Sequence, residues 1–154
     1  NHEYFHGVQP IIDYVNSLGI KTLENENVYI GPKDNGFYLC GVYDRFGNRY
    51  GSYKPDITKA LENTNNHPTV LLAHQPKFID EIESTKGIDL ILCGHTHGGQ
   101  IFPFNFLVKL QQPYVRDLNT HNEFTQVYVN KGTGFWGPPM RLRASSEITF
   151  LKLS

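Results

Sequence analysis

Two histidines one residue apart, His95 and His97, lie in the stretch Cys93-Gly94-His95-Thr96-His97-Gly98-Gly99-Gln100. Imidazole is the commonest metal-ligating side chain, and in its neutral form it suits several divalent transition metals, so the pair points to metal chemistry without naming the ion. A third histidine, His74, ends the apolar run Thr69 to Ala73 and is followed by Gln75-Pro76, while the chain opens with Asn1-His2-Glu3-Tyr4. An isolated His-x-His is more often a solvent-facing loop; three separate blocks of such residues make a shared site the better reading. His6, His67 and His121 join no block and are assigned to surface or loop positions. Arg141 and Arg143 read as solvated strand-edge residues and are left outside the site.

The elements around these residues explain how they can meet. Thr69 to Ala73 and Ile88 to Cys93 are apolar runs of the length expected for buried strands, and each stops at a histidine-bearing loop. Phe78, Ile79 and Ile82 predict a helix between Pro76 and Gly87, so the succession is strand, helix, strand, a unit whose two strands run parallel. Parallel strands end at one sheet edge, and open α/β sheets bind ligands outside those carboxyl ends. His74 and His95 are therefore expected at the same edge.

The rest of the chain supplies the frame. Val8, Ile11, Ile12, Val15 and Leu18 recur at helical spacing, with Pro10 tolerated in the first turn and Gly19 placed to end the helix. Thr22-Leu23, Val28 to Ile30 and Phe37 to Asp44 read as strands of a meander. Asp56 caps a short helix through Ile57, Ala60 and Leu61. Val127 to Lys131 and Ile148 to Leu153 are the last expected strands, separated by the Gly, Pro and aromatic-rich stretch from Gly132 to Pro139. The class is α/β with mixed sheets.

With 154 residues, 39% hydrophobic and 19% charged, one globular domain is expected. The formal charge of −1 and the scattered Lys and Arg exclude the clustered basic excess that a nucleic-acid partner requires. Cys40 and Cys93 fall inside expected strands and read as small buried apolar residues. No run approaches the roughly 20 apolar residues of a membrane helix, and no targeting segment opens the sequence. The only methionine is Met140, so Asn1 reads as a cut end and a preceding segment is expected.

Asn1-His2-Glu3, the strand-terminal His74 and Gly94-His95-Thr96-His97 resemble, in order and spacing, the last three signature blocks of the calcineurin-like metallophosphoesterases. Gly98-Gly99-Gln100, Val129 to Gly134 and Pro139 to Glu147 resemble a bacterial branch of that family that is often exported or membrane-associated. The resemblance covers essentially the whole chain, whereas the family's opening Asp-x-His and Gly-Asp-x-x-Asp blocks have no counterpart in it. It implies that residues 1–154 are the C-terminal part of one metallophosphoesterase domain, half of an αββα sandwich. It also implies a pair of divalent ions (Mn, Zn or Fe). Asn1, through its amide oxygen, His74 and His95 resemble ligands of the second ion, and His97 a ligand of the first; the aspartate bridging both belongs to a missing block. His2 resembles the histidine that approaches the phosphate and protonates the leaving oxygen.

The implied activity is hydrolysis of phosphomonoesters or phosphodiesters, lipid-linked ones included, with little turnover from this chain alone. A non-catalytic binding or scaffolding module with a degenerate metal site is the competing reading. Two expectations concern surfaces. The missing half, or a second copy of the chain, should cover an exposed strand edge and apolar face. The apolar segment Ile101 to Leu110 either packs into the core or forms a lip that rests in a membrane interface.

Overall fold

The computed structural model describes residues 1–64, 66–85 and 87–153. Six strands form one mixed sheet: β1 (Glu26–Ile30), β2 (Phe37–Gly41), β3 (Thr69–Leu72), β4 (Leu90–Cys93), β5 (Asp117–Thr120) and β6 (Gln126–Val129), in the spatial order β1-β2-β3-β4-β6-β5. The four inner strands pair in parallel, β2 with β3, β3 with β4 and β4 with β6, and an antiparallel neighbour closes each margin. With few helices beside this sheet, the architecture is that of half a calcineurin-like sandwich.

Central parallel strands read as near-continuous apolar runs, and in β3 Val70, Leu71 and Leu72 follow Thr69, with Thr69, Val70 and Leu71 buried. Leu71, Ile91, Val127 and Val129 pack with Cys40, Phe78, Ile79 and Ile88 in a single hydrophobic cluster. Leu71 and Ile91 are register partners across β3 and β4. This cluster fixes the relative height of the two central strands, and with it the positions of the loops that follow them. Cys40 and Cys93 are free and buried, and burial pushes their thiols up to about 11 and about 12.

The amphipathic helix appears as α1 (Val8–Ser17) with Ile12 buried, and the short one as α2 (Ile57–Ala60), where the Asp56 carboxylate accepts from the Lys59 amide as the sequence led us to expect. Several expectations need correction. Thr22-Leu23 forms no strand, because β2 already has β1 on that side from Glu26 onward. The segment after His74 is a 3-10 helix, Pro76–Glu81, rather than an α-helix. Ile148 to Leu153 is not a strand either: its backbone has no ladder partner among the described residues, although Glu147 and Thr149 turn toward Tyr128 and Asn130. Two elements were not foreseen, the polar edge strand β5 and the helix α3 (Asn105–Gln111).

Candidate metal centre

His74 follows β3 and His95 follows β4, and the two strands are parallel neighbours. Their loops are tied directly, since the Gly94 amide donates to the His74 carbonyl at 2.9 Å. The imidazoles consequently meet edge to face with ring centroids 5.2 Å apart. One cleft of about 340 Å³ is lined by both rings together with Asn1, His2, His97 and Trp136. The structure thus brings every sequence-predicted site residue to one place. His6, His67 and His121 lie outside that cleft and are exposed.

The loop carrying His95 and His97 is held in a backbone conformation that ordinary residues avoid. His95, His97 and Gln100 have φ of 66°, 51° and 43°, in the left-handed region that costs L-residues about 1–2 kcal/mol each. Glycine is demanded at position 99, where φ is +83° and a Cβ would lie 2.4 Å from the Asn105 Cβ. Buried hydrogen bonds hold the strained shape. The Thr96 hydroxyl donates to the Val115 carbonyl at 2.6 Å. The fully buried Gln100 carboxamide accepts from the Trp136 amide at 2.7 Å and donates to the Trp136 carbonyl at 2.6 Å.

Arg141, set aside on sequence grounds, is part of this scaffold. Its guanidinium donates to the carbonyls of Lys131 (2.8 Å), Gly134 (2.6 Å) and His97 (3.3 Å), and its Nη2 stands 3.4 Å from the His97 Nδ1. A planar fork with five donors can gather carbonyls from two loops at once. Nothing in the linear sequence marks Arg141 for this task, because its partners come from segments around 97, 132 and 144 that only folding assembles.

Electrostatics keep the imidazoles neutral. Burial, then the neighbouring His74, lowers the His95 pKa to about 4, with Asp44 opposing. Burial also lowers His74 and His97, and Arg141 adds to the effect on His97. Neutral imidazole is the metal-binding form. The Asn1 amide oxygen is buried at the same cleft with no hydrogen-bond partner, the state expected of an acceptor awaiting a cation. Two imidazoles and a carboxamide oxygen form a donor set that fits a borderline divalent ion. Among the described residues, no group of three or more His, Cys, Asp or Glu side chains is arranged to hold one. The third donor here is an amide, and the His97 ring is turned toward Arg141.

Over nearly its whole length this chain is similar to proteins named metallophosphoesterases, and over the stretch they share it belongs with the calcineurin-like metallophosphoesterases. It is 49% identical over 154 residues to an uncharacterized metallophosphoesterase of Helicobacter pylori, covering 99% of this chain and 40% of that protein. It is 42% identical over 164 residues to a Bos taurus transmembrane protein with metallophosphoesterase domain, covering 99% of this chain and 37% of that one. It is 34% identical over 142 residues to the Escherichia coli phosphodiesterase YaeI, covering 89% of this chain and 48% of that one. The chain spans about 40% of the length of the first of these relatives. No family model matches the chain, and no solved structure does.

Proposed function

We propose that the protein carrying this chain hydrolyses phosphomonoesters or phosphodiesters at a dinuclear metal centre, one side of which is built here by Asn1, His74, His95 and His97. The observation that carries this reading is the meeting of the His74 and His95 rings, 5.2 Å apart, beside a buried and unpartnered Asn1 amide oxygen. When bound, a pair of divalent ions such as Mn, Zn or Fe polarises the phosphoryl group and supplies hydroxide near neutral pH. The remaining work falls to the chain. His2, exposed at the cleft, reaches the leaving oxygen and protonates it, a task suited to imidazole. Arg49 and Lys77 line an adjoining hollow that shares Asn1 and His95, beside the Arg45–Glu81 ion pair, and give an anionic substrate positive surroundings.

The test uses the full-length protein. His95→Ala and His74→Ala should lower bound metal measured by atomic emission, and cut turnover of a chromogenic phosphodiester by at least about 100-fold, the scale on which essential catalytic groups act. Wild-type turnover in both variants would sink the proposal. A binding or scaffolding module is the second reading, favoured by the lack of an arranged three-residue His, Cys, Asp or Glu cluster among the described residues. A full-length protein that binds metal substoichiometrically and turns over no phosphate ester would establish it.

We further propose that α3 is the lip expected beside the site and rests against lipid. Phe104, Phe106, Leu107 and Leu110 are 48%, 56%, 55% and 82% exposed, so the segment does not pack into this chain's core. Val108 and Gln111 of the same helix line the cleft. No described helix is long and apolar enough to cross a membrane, and a peripheral contact needs none.

A further inference from the structure

The cleft does not end at the histidines. Asn1, His95, Gln111 and Gln112 line both the cleft and the adjoining hollow of about 510 Å³, so the two spaces share a wall. The hollow is otherwise lined from two 3-10 turns, Arg45–Arg49 and Pro76–Glu81. His74 and His2 line the cleft and not the hollow. A ligand held over His74 and His95 therefore has room to extend between the two turns, away from His2.

Three basic side chains and one carboxylate face this space. The carboxylate, Glu81, is already engaged. Its Oε1 accepts from Arg45 Nε at 2.7 Å and pairs with Nη2 at 2.5 Å, and its Oε2 accepts from Asn48 at 3.3 Å. Arg49 and Lys77 are left with no ion pair among the described residues. Arg49 is held over the Phe46 ring, 5.0 Å from its centroid. Lys77 is half-buried between the buried Pro76 and Phe78, and its backbone amide donates to Gln112 Oε1 at 2.9 Å. A partly desolvated ammonium without a counter-charge is costly. Composition does not account for the pair, because the chain as a whole carries a formal charge of −1. A concave surface of one sign concentrates ions of the other, and Arg and Lys are the side chains that take phosphate oxygens.

We propose that the hollow holds a second anionic group of the substrate, phosphate-like in charge, and that Lys77 and Arg49 select for it. The inference rests on the phosphoesterase reading and narrows its substrate class. With the scissile phosphoryl at His74 and His95 and the leaving oxygen at His2, the second group belongs to the ester arm that stays on phosphorus. The preferred substrate is therefore a phosphodiester with an anionic retained arm, rather than a simple monoester.

The test uses the full-length protein, loaded with Mn²⁺, and two nitrophenyl phosphodiesters that differ only in the retained arm. One arm is ethyl; the other is ethyl with a terminal phosphonate. The phosphonate should raise kcat/KM by at least about 10-fold, the worth of one charge-assisted hydrogen bond, chiefly through a lower KM. Lys77→Gln and Arg49→Gln should each cut that preference severalfold, the double variant should abolish it, and Lys77→Arg should keep most of it. Loss of both substrates in equal proportion would mark the two residues as merely structural and overturn the proposal. The preference should also shrink as salt is raised. In the metal-free protein, the phosphonate-bearing diester alone should shift the amide resonances of Lys77 and Arg49. Metal-dependent hydrolysis of both diesters with equal kcat/KM would overturn the role of the hollow and leave the phosphoesterase reading intact. Hydrolysis of neither would remove that reading and this inference together. Where a variant does not fold, the wild-type preference and its salt dependence decide.

Discussion

At the scale of single residues, the site is organised by what burial does to imidazole. His95 has its pKa lowered from 6.5 to about 4, so the unfolded chain binds a proton there that the folded chain refuses. Stability from this group is complete above about pH 6.5 and is lost as the pH falls toward 4. Metal-free protein should therefore show falling urea midpoints across that window, and His95→Gln should flatten the trend; an unchanged slope in the variant would contradict the assignment. Arg141 makes a different prediction. Its removal strands several carbonyls, each worth about 1–3 kcal/mol when buried and unsatisfied. Arg141→Ala should cost about that much in chemical denaturation and speed amide exchange near His97 and Gly134, and Arg141→Lys should rescue little, because an ammonium cannot span those carbonyls. The histidines were legible because motif spacing is a local property. Arg141 was not, since its significance lies in partners far along the chain.

At the scale of elements, what could be read depended on whether burial leaves a mark in the sequence. β3, buried at three of its four positions, and β4, buried at alternate ones, show as apolar runs, and α1 shows as a helical stripe. β5 is a polar margin with Asp117, Leu118 and Thr120 exposed, and it offers no alternation to detect. α3 is short, with four apolar residues among Asn105, Lys109 and Gln111, and has no capping side chain, so its period is not visible and only the hydrophobicity of the segment stands out. Ile148 to Leu153 has the alternation of a strand, with Ile148 and Phe150 91% and 92% exposed, but a strand needs a neighbour and this one has none among the described residues. The exposed face of α3 carries its own test. Full-length protein should co-sediment with anionic vesicles, and replacing Phe106 and Leu110 by serine should weaken that binding at least several-fold while leaving hydrolysis of a soluble ester intact. Equal binding by the variant would show that α3 is not the contact.

At the scale of the whole molecule, the exposed Ile148, Phe150, Leu110 and Trp136 leave more apolar surface in water than a solitary domain usually tolerates. We propose that the isolated chain associates, with a second copy of itself or with a separately supplied partner chain, and turns over phosphate esters poorly by itself. Light scattering after size exclusion checks the first expectation; a stable monomer of 17.6 kDa would contradict it. The sheet order has a further consequence for how the histidines are held. With the order β1-β2-β3-β4-β6-β5, two strands stand between either margin and the pair that delivers His74 and His95. Fraying begins at margins, where backbone groups face water. Unzipping from the left must consume β1 and β2 before it loosens His74, and unzipping from the right must consume β5 and β6 before it loosens His95. The two rings therefore keep their spacing through every partial opening short of the last, and the half-site is among the final parts of this chain to forget its shape.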